Sequence, residues 1–166
     1  SKLPENICGL LLGGGYPENY ARELSCNASM RQSVARAIQE NMPCLAECGG
    51  FLYLHEAITD IDGEEWDMVS AVHATAAYQG KLQPRFGYIT LEDGQTGMQI
   101  RGHEFHYYDS TDYGQEWTAR KPLSSRHWSC MHKQGNLLAG FPHLYYASDP
   151  GFAAEWVQRC RQWRKE

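Results

Sequence analysis

Cys48 stands in the run Ala46-Glu47-Cys48-Gly49-Gly50, between a short apolar stretch (Pro43-Cys44-Leu45) and a helix-like one, Phe51-Leu52-Tyr53-Leu54. A thiol at a strand-to-helix junction sits where helix-end amides stabilise a thiolate. The two glycines behind it permit a sharp turn and close approach of a substrate to the backbone. This is the layout of a nucleophile elbow, with cysteine in the place of serine. Such a nucleophile needs a base, donors for an oxyanion, and a pocket for the acyl group it attacks.

Candidates for each part are present. Gly13-Gly14-Gly15 follows an apolar run and can present unhindered N–H groups, one of which could bind an oxyanion together with the amide of Gly49. A phosphate-loop reading of the glycines fails, because no Gly-Lys-Ser/Thr occurs in the chain. Seven histidines (55, 73, 103, 106, 127, 132 and 143) compete for the role of base. His143 follows the apolar run Leu137-Leu138-Ala139-Gly140-Phe141-Pro142, while His103 and His106 flank Glu104-Phe105 in a second β-like run. Spacing alone does not choose among these three. His127-Trp128-Ser129-Cys130-Met131-His132 has no second ligand cluster at zinc-finger spacing, so no metal is assigned.

The elements that must position these residues follow from periodicity. Ile7 to Leu12 reads as a strand buried on both faces. Helical segments are expected at about Glu18–Leu24 and Ser29–Asn41; in the second, Met30, Val34, Ala37 and Ile38 share a face and Asn27 or Ser29 serves as N-cap. Pro43 ends that helix and opens the strand leading to Cys48. This strand–helix–strand–helix order implies an α/β fold with a largely parallel sheet. Phe86–Leu91, Met98–Tyr108 and Gly135–Tyr146 read as β-structure. A last helix carries the stripe Phe152, Trp156, Cys160, Trp163, capped by Ser148 or Asp149 with Pro150 in its first turn. The basic residues Arg159, Arg161, Arg164 and Lys165 complement its C-terminal end.

The 166 residues suit one domain, and 42% apolar with 21% charged residues is a soluble globular composition. The net charge of −5 argues against a nucleic-acid surface, and no apolar run is long enough to span a bilayer. Six cysteines without a CxxC pair read as reduced thiols in a cytoplasmic protein.

Four motifs, in order, carry a family resemblance: Gly14-Gly15-Tyr16-Pro17-Glu18, Ala46-Glu47-Cys48-Gly49-Gly50, Arg101-Gly102-His103-Glu104-Phe105-His106-Tyr107 and Pro142-His143-Leu144. The set resembles the glutamine amidotransferase domain of the cobyrinate a,c-diamide synthases. The resemblance implies a flavodoxin-like class I glutamine amidotransferase fold over residues 1–166, with a mostly parallel central sheet flanked by helices. It implies that Cys48 attacks the side-chain amide of glutamine to give a thioester and ammonia, with His143 raising its nucleophilicity. Gly14 or Gly15 with Gly49 would form the oxyanion hole. His103, His106 and Tyr107 would line the glutamine pocket or hold the catalytic histidine, while Glu18 and Glu47 could orient groups near the site or be merely structural.

Two departures bear on the site. Many class I amidotransferases have a glutamate two residues after the histidine, where this chain has Tyr145, so the third member of a triad is unidentified. Pro142 directly before His143 is unusual in a strand. The resemblance also implies an N-terminal synthetase domain using ATP and Mg2+, supplied in the same protein or as a separate subunit, and a tetrapyrrole acceptor reached through it. No cofactor is expected in the present domain, which alone would at most hydrolyse glutamine. The rival readings are another Cys-dependent acyl hydrolase of the same fold, or a non-catalytic module that binds a synthetase.

Overall fold

The computed structural model describes residues 1–163. In chain order the strands are β1 (Leu10–Leu12), β2 (Cys44–Glu47), β3 (Ala57–Thr59), β4 (Glu65–Asp67), β5 (Thr75–Tyr78), β6 (Gly87–Asp93), β7 (Gln99–Glu104), β8 (Tyr108–Ser110), β9 (Trp117–Arg120), β10 (His127–Cys130), β11 (His132–Gln134), β12 (Leu137–Gly140) and β13 (His143–Leu144). The helices are α1 (Ala21–Cys26), α2 (Ala28–Gln39), α3 (Gly49–Tyr53) and α4 (Pro150–Trp163), with a 3₁₀ turn at Pro17–Tyr20.

The central sheet runs β1-β2-β12-β11, with β2 parallel to both β1 and β12 and only β11 antiparallel. Its middle strand Cys44–Glu47 is buried along its whole length, as a strand covered on both faces must be. Two further sheets flank it: an antiparallel one in the order β10-β9-β6-β7-β13, and a mixed one in the order β4-β3-β5-β8. The α/β architecture expected from the strand–helix alternation is therefore present around β1 to β12.

Local details follow the residues. The Asn27 side chain accepts from the N–H of Met30 at the start of α2, and Val34 and Ala37 on that helix are buried. Asp149 caps α4, accepting from the N–H of Gly151 at 3.0 Å; Cys160 is buried, and Phe152, Trp156 and Trp163 pack against the core. Arg164 and Lys165 lie outside the described residues.

Three expectations need correction. The first strand spans only Leu10–Leu12, and its faces differ: Leu10 is buried while Leu11, on the opposite face, is 55% exposed. The run from Met98 to Tyr108 breaks after Glu104, where the chain leaves β7 to begin β8 in a different sheet. The run ending at Tyr146 breaks at Phe141-Pro142, where it leaves the central sheet for the antiparallel one. A proline without an N–H belongs at such a break, and β13 starts immediately after it.

Candidate active site

Adjacent parallel strands bring the first two parts together. Glu47 at the end of β2 lies opposite Gly140 at the end of β12, and the N–H of Cys48 donates to the Gly140 carbonyl at 2.9 Å. Cys48 thus follows one strand directly, and His143 follows its neighbour after two residues. Carboxyl ends of parallel strands are where α/β folds place their ligands.

Cys48 holds φ 48° and ψ −104°, a backbone conformation that costs a non-glycine residue about 1–3 kcal/mol. This is a genuine strand-to-helix elbow. The glycines around it are there for close approach. A Cβ on Gly49 would stand 2.3 Å from the Gly15 carbonyl oxygen, and one on Gly50 would stand 2.1 Å from that of Leu12. The N–H of Gly50 donates to the Gly13 carbonyl at 3.1 Å, fixing the glycine loop against the head of α3. A Cβ on Gly14 would lie 2.3 Å from Cε1 of His143, so the loop also touches the imidazole.

The Cys48 thiol donates weakly to the Phe105 carbonyl at 3.8 Å. Burial pushes its pKa up to about 12; the Gly49 N–H works in the opposite direction, and the charges of Glu18, Glu104 and Glu47 raise it further. The Gly49 amide at the head of α3 favours the thiolate, as expected, but it is not the dominant influence. The helix has five residues, one amide faces the sulfur, and desolvation outweighs it.

His143 is paired in register with His103 on β7. Its Nδ1 lies 3.9 Å from Oε2 of Glu47. Burial lowers the His143 pKa, and the His103 charge lowers it again, so the neutral base is favoured. Glu47 is 6% exposed and accepts from the Leu144 N–H at 3.3 Å and from the Tyr146 hydroxyl. Burial raises its pKa, against those two hydrogen bonds. The acidic group nearest the His143 ring nitrogen is thus Glu47, the residue just before Cys48. Tyr145, at the position where an orienting glutamate was sought, is 60% exposed. The cue lay in Glu47 itself, an acidic residue ending an apolar strand.

The Arg101–Tyr107 segment divides by alternation along the strand. His103 faces the same hollow as His143, together with Tyr88, Gly102, Leu144 and Tyr145. His106 does not line that hollow. It is buried, its Nδ1 donates to the Tyr108 carbonyl at 2.6 Å, its Nε2 meets Glu104 Oε1 at 2.8 Å, and its ring stacks on Phe141 at 3.7 Å. Trp128 Nε1 donates to the other Glu104 oxygen at 3.1 Å. His106 therefore belongs to the scaffold behind the site, because both ring nitrogens are already engaged. Tyr107 is half-exposed at the break between β7 and β8. The other histidines are engaged elsewhere: His55 with Phe51 and Ser110, His73 with Glu56, His127 with Ser125 and His132 beside Asp112.

Residues 1–151 match the CobB/CobQ-like glutamine amidotransferase domain. The chain belongs to that family. Relatives named cobyrinate a,c-diamide synthase include one from Caldanaerobacter subterraneus subsp. tengcongensis, 35% identical over 167 residues (96% of this chain and 37% of the relative), and one from Fusobacterium nucleatum, 37% identical over 159 residues (93% and 35%). The chain thus spans little more than a third of the length of these relatives. Among solved structures, a glutamine amidotransferase aligns with TM-score 0.65 at 18% identity, covering 94% of this chain and 80% of that one. A second, from Thermotoga maritima, aligns with TM-score 0.53 at 12% identity, covering 98% and 67%. These two bear on the fold.

Within the glutamine amidotransferase frame each part has a place. Cys48 is the elbow cysteine and His143 the histidine of the neighbouring strand. Gly15 packs on Gly49 where the two N–H groups of an oxyanion hole are expected, while Gly14 lies against the His143 ring. Backbone roles of this kind, like the Phe105 carbonyl at the thiol, carry no side-chain signature in sequence.

Proposed function

We propose that Cys48, His143 and Glu47 hydrolyse the side-chain amide of glutamine through a glutamyl thioester. The observation that carries this reading is the strained elbow at Cys48 set one strand away from His143, with Glu47 3.9 Å from Nδ1 of that imidazole. With Nδ1–H directed at the Glu47 carboxylate, the lone pair of Nε2 is left to act as base. It takes the Cys48 proton as sulfur attacks the amide carbon, so the high thiol pKa is overcome only when the acceptor is in place. The N–H groups of Gly49 and Gly15 receive the oxyanion; one such donor is worth about 3 kcal/mol. His143 returns the proton to the departing nitrogen, ammonia leaves, and a water activated by the same imidazole cleaves the thioester to glutamate.

The ammonia serves ATP-dependent a,c-diamidation of cobyrinate or a closely similar tetrapyrrole. The activating chemistry, with ATP and Mg2+, resides in a synthetase domain or subunit. The names of the relatives, and the fact that this chain matches only about a third of their length, support that division. A cytoplasmic setting fits such a biosynthetic role, and no helix among the described residues is long and apolar enough to cross a membrane.

The direct test is labelling with 6-diazo-5-oxonorleucine, read by mass spectrometry. One adduct at Cys48, suppressed by glutamine and absent in Cys48→Ala, is expected. Equal protection by unrelated amides or esters would point instead to a general acyl hydrolase.

A further inference from the structure

Two buried polar atoms near the nucleophile have no hydrogen-bond partner: Oε2 of Glu18 and the hydroxyl of Tyr108. They come from separate elements, the turn that packs against α3 and the strand that follows the Phe105 segment at the thiol. Glu18 lies in the 3₁₀ turn directly after the glycine loop, whose backbone rests on Gly49, and that turn packs against α3. Tyr108, 3% exposed, opens β8 just after the segment whose Phe105 carbonyl receives the Cys48 thiol. The charge of Glu18 acts on both the Cys48 thiol and the Tyr108 phenol, and in each case it is the leading charge effect.

A carboxylate oxygen and a phenol left unpaired away from water are costly, and folded proteins keep few of them. Here both residues adjoin segments that touch the elbow, the glycine loop at Gly49 and the Phe105 turn at the Cys48 thiol. Glutamine brings to such a site one cation, its α-ammonium, a three-donor group matched to a carboxylate and a phenol oxygen. We infer that Glu18 and Tyr108 form the subsite that binds the α-ammonium group of glutamine, so that substrate selection is set by the Gly-Tyr-Pro-Glu turn as well as by the β7 segment.

This inference rests on the glutaminase reading, and the experiment separates the two. Ammonia release is measured for glutamine and for glutaramate, which has the same amide and carboxylate but no α-amino group. The wild-type protein is expected to prefer glutamine. Glu18→Gln, close to isosteric, should lower kcat/KM for glutamine about 10- to 100-fold, chiefly through KM, the range for losing a hydrogen bond to a charged group. The same change should leave glutaramate within about twofold, since no partner is lost there. Tyr108→Phe should shift the same ratio in the same direction by a smaller factor. An unchanged thermal melt, with Cys48 alkylated by iodoacetamide at least as fast as in the wild type, shows that each variant is folded with its nucleophile in place. Equal losses on both substrates, or none on either, overturn the subsite and leave the glutaminase reading standing. A wild-type protein that releases no ammonia and forms no diazo-oxonorleucine adduct overturns both.

Discussion

The carboxylate of Glu47 stands 3.9 Å from Nδ1 of His143, and Tyr146 and Leu144 hold it there from the far side of the same turn. At that distance the contact is electrostatic and strengthens as His143 takes up the thiol proton. Glu47→Gln is expected to lower kcat about 10²- to 10⁴-fold with little change in KM, the pattern of a residue that orients a base. Glu47→Asp should recover part of the loss. A Gln variant that retains wild-type kcat would remove Glu47 from the mechanism.

Gly14 is the point where the glycine loop meets the base. A methyl group there would collide with Cε1 of His143 at 2.3 Å, and the imidazole is the softer of the two partners. Gly14→Ala should therefore displace His143 rather than unfold the chain. The expected result is a fall of about 10²-fold or more in glutamine hydrolysis, with thermal stability and iodoacetamide reactivity of Cys48 nearly unchanged. A variant as active as the wild type would show that the ring has room to move.

The thiol and imidazole are a neutral pair at rest, because burial pushes Cys48 up to about 12 and lowers His143 below its ordinary value. Alkylation of Cys48 by iodoacetamide without glutamine should rise about tenfold per pH unit well above pH 8, since only the thiolate reacts. A plateau below pH 8 would mean a resting thiolate–imidazolium pair instead. Glutamine hydrolysis should keep its acid limb below pH 6.5, following the lowered His143.

His55 sets a pH dependence of stability remote from the chemistry. It is fully buried between the Phe51 carbonyl and Ser110, and burial lowers its pKa from 6.5 to about 4. The unfolded chain binds the extra proton first, so stability is complete above pH 6.5 and falls as pH drops toward 4. The shift corresponds to about 3 kcal/mol across that window. Thermal melts should show a marked fall in Tm from pH 6.5 to 4. His55→Asn should be less stable at pH 7 but flatter over the same range; an unchanged slope would assign the acid sensitivity to other groups.

The sequence by itself determined the local parts of this protein. Periodicity and capping residues placed α2 and α4, the apolar run before Cys48 placed β2, and the glycines around Cys48 required the elbow, because each depends on neighbours within a few residues. Its motifs also pointed to a glutamine amidotransferase, as the match over residues 1–151 bears out. Tertiary structure decided which side chains meet. The parallel pairing of β2 with β12, and the break at Phe141-Pro142, bring His143 to Glu47. Alternation along β7 and the turn after it sends His103 toward the site, while His106 is drawn into a buried network with Glu104 and Phe141. Residues alike in type and only three positions apart thus end in different surroundings, because which face of a strand is covered depends on the sheet it joins and not on its own sequence.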